Sequence, residues 1–422
     1  MTGIRVYPGS VRGRVRAPPS KSYTHRALVV GYLSGHPFRV ERPLDADDTR
    51  RTAEAIRRLG ASVTRRDARW TVKPGRPPRT RRVSVDCGES GTTLRFAVAL
   101  AARQGTRVRF TGRERLGQRP MRALLRGLRS LGASIRVSKH GLPLEVSGPI
   151  HGGPITLDAS VSSQFLSSLL LALPTLEGDS RIVLTGPVVS SPYIDATLAV
   201  LNHQGVRVAR RGRSFQIPGG QRFRGRSFRV PGDASSAAYL WAAGAVAGGP
   251  VRVDGVPPAW PQADRAATEL LAHAGAAVRE IGSSVAVGAG RPRPFTVDLT
   301  DSPDLYPLAG VLAALTPGTS RLRGAAHVVH KESDRRAGTA RLARAFGARV
   351  RTNAGGLTIE GTDSPRRVSL TDLTDHRLLM SAAVGALSAD GPSRLGPAEA
   401  VEKSFPGFWD SMRALGAEVE GP

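Results

Sequence analysis

The chain carries five lysines, Lys21, Lys73, Lys139, Lys331 and Lys403, among 61 basic residues, the other 56 being arginine. Where arginine stands almost everywhere, a lysine that remains marks a place for a compact, titratable ammonium rather than a planar guanidinium. Lys21 lies in "PPSKSYTHR", just ahead of the apolar run "ALVVGYL", and Lys331 lies in "HKESDR". Capping a helix needs one hydroxyl or carboxylate. "SKSYTHR" adds Lys21 and Arg26 to that, and "SVSSQ" strings together Ser160, Ser162, Ser163 and Gln164. Hydroxyls and cations at the start of an apolar helix suit an anion, because the first turn offers unpaired N–H groups and the positive end of the helix dipole. Taken singly, each cluster also reads as an ordinary cap, and "KESDRR" as a solvated helix start with paired charges.

Repetition in register separates these readings. A motif of the type "LGAxV" recurs at Gly60, Gly132, Gly205, Gly275, Gly347 and Gly416, with spacings of 72, 73, 70, 72 and 69 residues. Each copy reads as a helix closed by a left-handed glycine and followed by a strand. A second series runs in phase with it: a cluster rich in Ser, Thr or Asp, an apolar helix of about three turns, and a glycine stop. Its stops are Gly35, Gly105, Gly178, Gly248, Gly318 and Gly391. These helices are apolar nearly all round, which predicts burial. Their polar starts must then emerge at a cleft, three and three, as two surfaces suited to phosphate. "RRGRSFQIPGGQRFRGRSFRVPGD", with its Gly and Pro, predicts a crossover, and the chain divides near residue 226.

With 422 residues and 40% hydrophobic content, the chain is long enough for two or three globular domains with sizeable cores. "MTGIRVYPGS" lacks a signal-peptide apolar region, and no apolar stretch is long enough to span a bilayer, so a cytoplasmic address is expected. Cys87, the single cysteine, excludes an internal disulfide and a cysteine metal cluster, and reads as a small buried residue. The net charge of +27 suggests nucleic acid or anionic ligands. Its arginines are scattered without aromatic interleaving, which reads as solvated faces instead.

In order along the chain, "PPSKSYTHRAL", "DADDT", "GESGTTLR", "RERLGQRPM", "SVSSQFLSSLL", "VSSPYIDATL", "GDASSAAY", "DSPD", "HKESDR", "TDHR" and "EKSFPGFW" resemble the EPSP synthase (3-phosphoshikimate 1-carboxyvinyltransferase) branch of the enolpyruvyl transferases. The resemblance covers nearly the whole chain. It implies an α/β (α+β) class, a two-domain inside-out α/β barrel of six βαβαββ repeats, three per domain. The expected domains are 14–226, mainly for shikimate 3-phosphate, and 1–13 plus 227–422, with the acid/base and phosphoenolpyruvate residues. The implied reaction, a step of chorismate and aromatic amino acid biosynthesis, joins phosphoenolpyruvate to the 5-hydroxyl of shikimate 3-phosphate and releases phosphate.

By motif, the resemblance implies that Lys21, Ser22, Arg26, Ser162, Ser163, Gln164, Ser190, Asp304, His327 and Lys331 bind shikimate 3-phosphate, with Tyr193 bordering that pocket. Lys21, Gly91, Arg119, Gln164, Arg335, Arg377 and Lys403 are implied for phosphoenolpyruvate. Asp304 is implied as acceptor of the 5-hydroxyl proton and Glu332 as proton shuttle at the methylene carbon, with Lys21 a third catalytic group. A carboxylate pair of this kind needs neighbours that set its proton affinities apart, and Lys331, Arg335, Arg377 and Lys403 are the candidates. Lys331 and Arg335, four apart, share a face if their segment is helical. The resemblance implies two small anionic substrates, no metal or organic cofactor, no nucleic-acid or membrane partner, and a monomer.

Three positions depart from the family pattern. Glu89 stands where Asn is common, a carboxylate that an arginine such as Arg95 must neutralise; His327 also replaces Asn, and Ser191 a frequent Lys. The alternatives are UDP-N-acetylglucosamine enolpyruvyl transferase, whose branch carries a loop cysteine in a different context from Cys87, and a basic nucleic-acid-binding protein. Steep weakening of binding with salt would mark the latter.

Overall fold

The computed structural model describes residues 3–78, 82–353 and 355–421. Its second repeat shows the plan. Strand Arg82–Asp86 leads into helix Gly91–Ala101, which returns the chain to strand Arg107–Thr111, parallel to the first. Helix Arg122–Ser130 follows, then the antiparallel strands Ser134–Val137 and Leu144–Ser147. Alternation writes this sheet into the sequence: Val83 and Val85 point inward while Arg82 and Ser84 point out. Among the described residues six four-stranded sheets are built this way, each with one parallel pair and two antiparallel pairs.

Two compact units result, Pro19–Val230 and Met1–Pro18 with Pro231–Pro422. These boundaries lie beyond the expected 13/14 and 226/227, and strand pairing is the reason. Ser227–Arg229 runs parallel to Phe38–Glu41 and completes the first sheet of the 19–230 unit. Val11–Arg16 lies parallel to Gly248–Asp254, and Ile4–Val6 sits between Ser393–Leu395 and Val419–Glu420, so both N-terminal strands belong to the other unit.

In each unit the three apolar helices pack on one another. They are Lys21–Leu33, Gly91–Ala101 and Ser163–Ala172 in the first, and Ala234–Val246, Tyr306–Ala314 and His376–Ala386 in the second. Every residue of Tyr306–Ala314 and of His376–Ala386 is buried, as an all-round apolar pattern requires. The six "LGAxV" glycines have φ between 78° and 112°, and each closes its helix with paired bonds such as Gly60 N–H to Arg57 O and Ala61 N–H to Ile56 O. Of the second series, Gly35, Gly178, Gly248 and Gly318 take positive φ, whereas Gly105 and Gly391 do not.

Strand arginines such as Arg82, Arg109, Arg181, Arg321 and Arg323 occupy solvent-facing positions. Among the described residues the buried arginines are Arg26, Arg95, Arg119, Arg335 and Arg377, all within the quoted motifs, and the buried lysine is Lys403. Among the described residues no helix is long and apolar enough to cross a membrane.

Candidate active site

In the 231–422 unit the starts of the three core helices carry a dense charge network. Asp304 lies in the short helical turn Pro303–Leu305 that opens helix Tyr306–Ala314. Arg335, 1% exposed, is the first residue of helix Arg335–Ala345, whose cap Asp334 accepts a bond from Ala337 N–H. Its guanidinium donates to Asp304 Oδ1 at 2.6 Å, Glu332 Oε2 at 2.8 Å and Asp375 Oδ2 at 2.9 Å. Asp375 also caps helix His376–Ala386, accepting from Arg377 N–H and from the Ser333 hydroxyl. Arg377 donates to Asp304 Oδ2 at 3.0 Å and to the Ser235 carbonyl at 3.3 Å, and Lys331 Nζ lies 3.5 Å from Asp304 Oδ1.

The charges set one another. Burial alone would raise the Asp304 carboxyl, but Arg377, Lys331 and Arg335 hold it well below the usual carboxylate range. Burial likewise opposes Asp375, which Arg335 and then His376 pull down to about 2. Arg335 and Arg377, whose burial would loosen their protons, are raised by the carboxylates around them. Burial, then Asp304, pushes Asp264 up to about 6 against the opposing pull of Arg377. His327 is buried and lowered to about 4 by desolvation and by Lys331, so it is neutral at pH 7. Lys403 is buried at the end of the helical turn Ala398–Lys403.

The 19–230 unit places hydroxyls and amides where the other places carboxylates. Lys21, first residue of Lys21–Leu33, donates to the buried Asp48 at 3.1 Å, and Ser22 follows it. Arg26, 2% exposed, donates to the carbonyls of Ser22 and Tyr193 at 2.9 and 2.8 Å and to the hydroxyls of Thr197 and Ser167 at 2.9 and 3.4 Å. Burial lowers its proton affinity to about 10. Ser162 caps helix Ser163–Ala172, accepting from Gln164 N–H. Gln164 donates to the Thr92 hydroxyl at 3.0 Å and accepts from Arg95 at 2.6 Å. Ser190, buried, has φ 55°, a left-handed conformation rare for a non-glycine residue and a pointer to function. Arg119 lies against Gly91: a Cβ there would come within 2.7 Å of the guanidinium carbon, so a larger residue would displace the Arg119 side chain.

Two sequence expectations are corrected. Arg113, at 3.2 Å, pairs with Glu89; Arg95 is committed to Gln164 and the Pro120 carbonyl. Lys331 has extended backbone, outside helix Arg335–Ala345, so it and Arg335 meet at Asp304 rather than along one helix face. Ser20 precedes Lys21 without a side-chain capping bond. Sequence reasoning missed Asp48, Asp375 and Asp264. Asp48 and Asp375 lie in "DADDT" and "TDHR", where an acid at a helix start reads as a cap; "PQADR" around Asp264 belongs to none of the quoted motifs.

Six βαβαββ repeats in two units, with charged helix starts, place the protein in the class of enolpyruvyl transferases. The enolpyruvyl transferase NikO from Streptomyces tendae shares this fold, with a TM-score of 0.81 at 19% identity over 100% of this chain and 99% of that one. The chain belongs to the EPSP synthase (3-phosphoshikimate 1-carboxyvinyltransferase) family, whose sequence profile matches residues 6–412. It is 41% identical over 419 residues to a 3-phosphoshikimate 1-carboxyvinyltransferase of Aeropyrum pernix, covering 99% of this chain and 96% of that one. It is 40% identical over 429 residues to one of Halobacterium salinarum, covering 99% of each. A structure of EPSP synthase from Acinetobacter baumannii superposes with a TM-score of 0.83 at 25% identity, over 100% of both chains.

Proposed function

We propose that the chain transfers the enolpyruvyl group of phosphoenolpyruvate to the 5-hydroxyl of shikimate 3-phosphate, with the roles below. The observation that carries these roles is the binding of Asp304 and Glu332 by one buried guanidinium, that of Arg335, at 2.6 and 2.8 Å. One guanidinium thereby fixes two carboxylates suited to proton transfer, and Arg377, Lys331 and Arg335 together keep Asp304 ionised. Glu332 delivers a proton to the methylene carbon of phosphoenolpyruvate, leaving a cationic carbon. The 5-hydroxyl oxygen attacks that carbon, and its proton passes to Asp304. A proton of the new methyl group then returns to Glu332, which restores the double bond as the carbon–oxygen bond to phosphate breaks, and the phosphate leaves with the proton held by Asp304.

Arg335, Arg377 and Lys403 hold phosphoenolpyruvate, as do Lys21, Arg119, Gln164 and the bare backbone at Gly91. As its anionic groups take up the charge of Arg335 and Arg377, Asp304 loses stabilising partners and becomes a better base. Shikimate 3-phosphate is held by Ser22, Arg26, Ser162, Ser163, Gln164 and Ser190, with Lys21, Lys331, Asp304 and neutral His327. Neutral oxygens fix Arg26 in place, so its charge is not already spent on a carboxylate. The reading takes the protein to be a cytoplasmic monomer without a nucleic-acid partner.

Release of phosphate is the test. It is expected only when both substrates are present, without added metal, and with a loss of at least about tenfold in kcat/KM for Asp304→Asn and for Glu332→Gln. No release from the unmodified chain overturns the reading.

A further inference from the structure

The segment Gln262–Asp264 has no place in the reaction above, yet it brackets the residues that do. Gln262 accepts a bond from Ala234 N–H at 2.9 Å and donates to the Gly232 carbonyl at 2.7 Å, fixing the start of helix Ala234–Val246. The Ser302 hydroxyl donates to the Ala263 carbonyl at 2.7 Å, tying the segment to the turn that carries Asp304. Asp264, 1% exposed, accepts from the Ser235 hydroxyl, and the Ser235 carbonyl accepts from Arg377. The other end of the Arg377 guanidinium reaches Asp304. A buried carboxylate thus holds a serine whose backbone oxygen fixes one end of Arg377, while the turn under Asp304 is held by the neighbouring residue of the same segment.

We propose that Asp264 is a positioning residue, which through Ser235 sets the Arg377 guanidinium for phosphoenolpyruvate and for its contact with Asp304. The inference rests on the proposed reaction for its kinetic consequences and on hydrogen bonds alone for its structural one. A displaced guanidinium weakens the hold on one substrate, whereas a general loss of packing does not discriminate between substrates. Asparagine retains an acceptor for the Ser235 hydroxyl and alanine does not.

The experiment compares Asp264→Ala, Asp264→Asn and Ser235→Ala with the unmodified chain. For Asp264→Ala the KM for phosphoenolpyruvate should rise about tenfold, with the KM for shikimate 3-phosphate within about twofold; Asp264→Asn should restore the first to within about threefold. Ser235→Ala should show the same one-sided rise, and it decides the matter if Asp264→Ala does not fold. Equal rises for both substrates, or no rise in either variant, overturn the inference. If the unmodified chain releases no phosphate, the proposed reaction falls, and the crystal structure of Ser235→Ala decides this inference separately. An Arg377 guanidinium unmoved in that structure overturns it; one that leaves Asp304 supports it.

Discussion

The same trio of buried helices underlies both units, but the charge at their starts is arranged in opposite ways. In the 19–230 unit a buried guanidinium, Arg26, is surrounded by carbonyls and hydroxyls, and burial lowers its proton affinity to about 10. In the 231–422 unit Arg335 is equally buried yet engages Asp304, Glu332 and Asp375, which tighten its hold on its proton. A cation fixed by neutral oxygens keeps its attraction for an incoming anion. A cation shared among carboxylates also tunes those carboxylates, and an anion that binds it must draw on the same charge. The fold therefore supplies the same helix starts twice, and the residues at each start decide whether it only receives charge or also moves protons.

The sharpest way to break this comparison is to remove both guanidiniums in turn. Arg335→Met leaves three carboxylates without their shared guanidinium, Asp375 being 2% exposed, and should cost about 3–5 kcal/mol in denaturant unfolding. Arg26→Met leaves only neutral acceptors unsatisfied and should cost about 1–3 kcal/mol. A larger loss for Arg26→Met than for Arg335→Met would show that the two environments do not differ as described.

Acidification probes the same contrast. His25 is buried, bonded through Nδ1 to the Thr52 hydroxyl at 2.7 Å, and desolvation lowers it to about 3. The unfolded chain takes up that proton near pH 6.5 and the folded chain only near 3, so stability is lost as pH falls between those values. In the other unit His327, lowered to about 4, acts in the same direction. Asp264 acts oppositely: raised to about 6, it binds a proton in the folded state before an unfolded carboxyl does, and adds stability as pH falls through 6. His25 has no such counterweight among the described shifts in its unit. Its share of the loss from about pH 7 to about pH 5 should be about 2 kcal/mol. His25→Gln should remove that share when unfolding is followed at both pH values; an undiminished loss would rule His25 out as its source.

The lysines sharpen the comparison at the level of single sites. Lys21 holds the one carboxylate described at its helix start, Asp48, while Lys331 is one of three cations on Asp304. Lys21→Arg, Lys331→Arg and Lys403→Arg should each lower kcat/KM at least tenfold, about 1.4 kcal/mol, because a planar fork does not fill the place of an ammonium. Lys73→Arg and Lys139→Arg, at exposed positions, should be near neutral. Equal effects at all five positions would remove the distinction.

Much of this was legible in the residues because it is local. A glycine forced to positive φ recurs every repeat, and a polar cluster before an all-apolar helix must surface at one end of it. What escaped reading is non-local. Ile4–Val6, Val11–Arg16 and Ser227–Arg229 are short, and which sheet each completes depends on pairing partners far along the chain, hence the shifted boundaries. Asp375 and Asp48 look like caps because Asp is a common cap, and Asp375 is one; its bond to Arg335 comes from a residue 40 positions away. In a chain with 56 arginines, identity alone does not say which one meets Glu89.

Glu89 supplies the smallest test. It places a carboxylate two residues ahead of Gly91, its own carbonyl accepts from Arg119 at 3.5 Å, and its charge is met by Arg113 from an exposed position. An exposed pair of this kind contributes about 0–1 kcal/mol to stability, so Glu89→Gln should unfold almost as the parent does. Its effect belongs to binding: removing a negative charge beside Arg119 should lower the KM for phosphoenolpyruvate about twofold at low salt, less at about 0.5 M salt, where exposed charges are screened. Arg113→Ala should act in the opposite sense by unmasking the carboxylate, and should do nothing once residue 89 is Gln, because the two substitutions act through one pair. An Arg113→Ala effect that survives in the Glu89→Gln background would mean that Arg113 acts on the substrate directly, and that this helix start receives charge without the masking described.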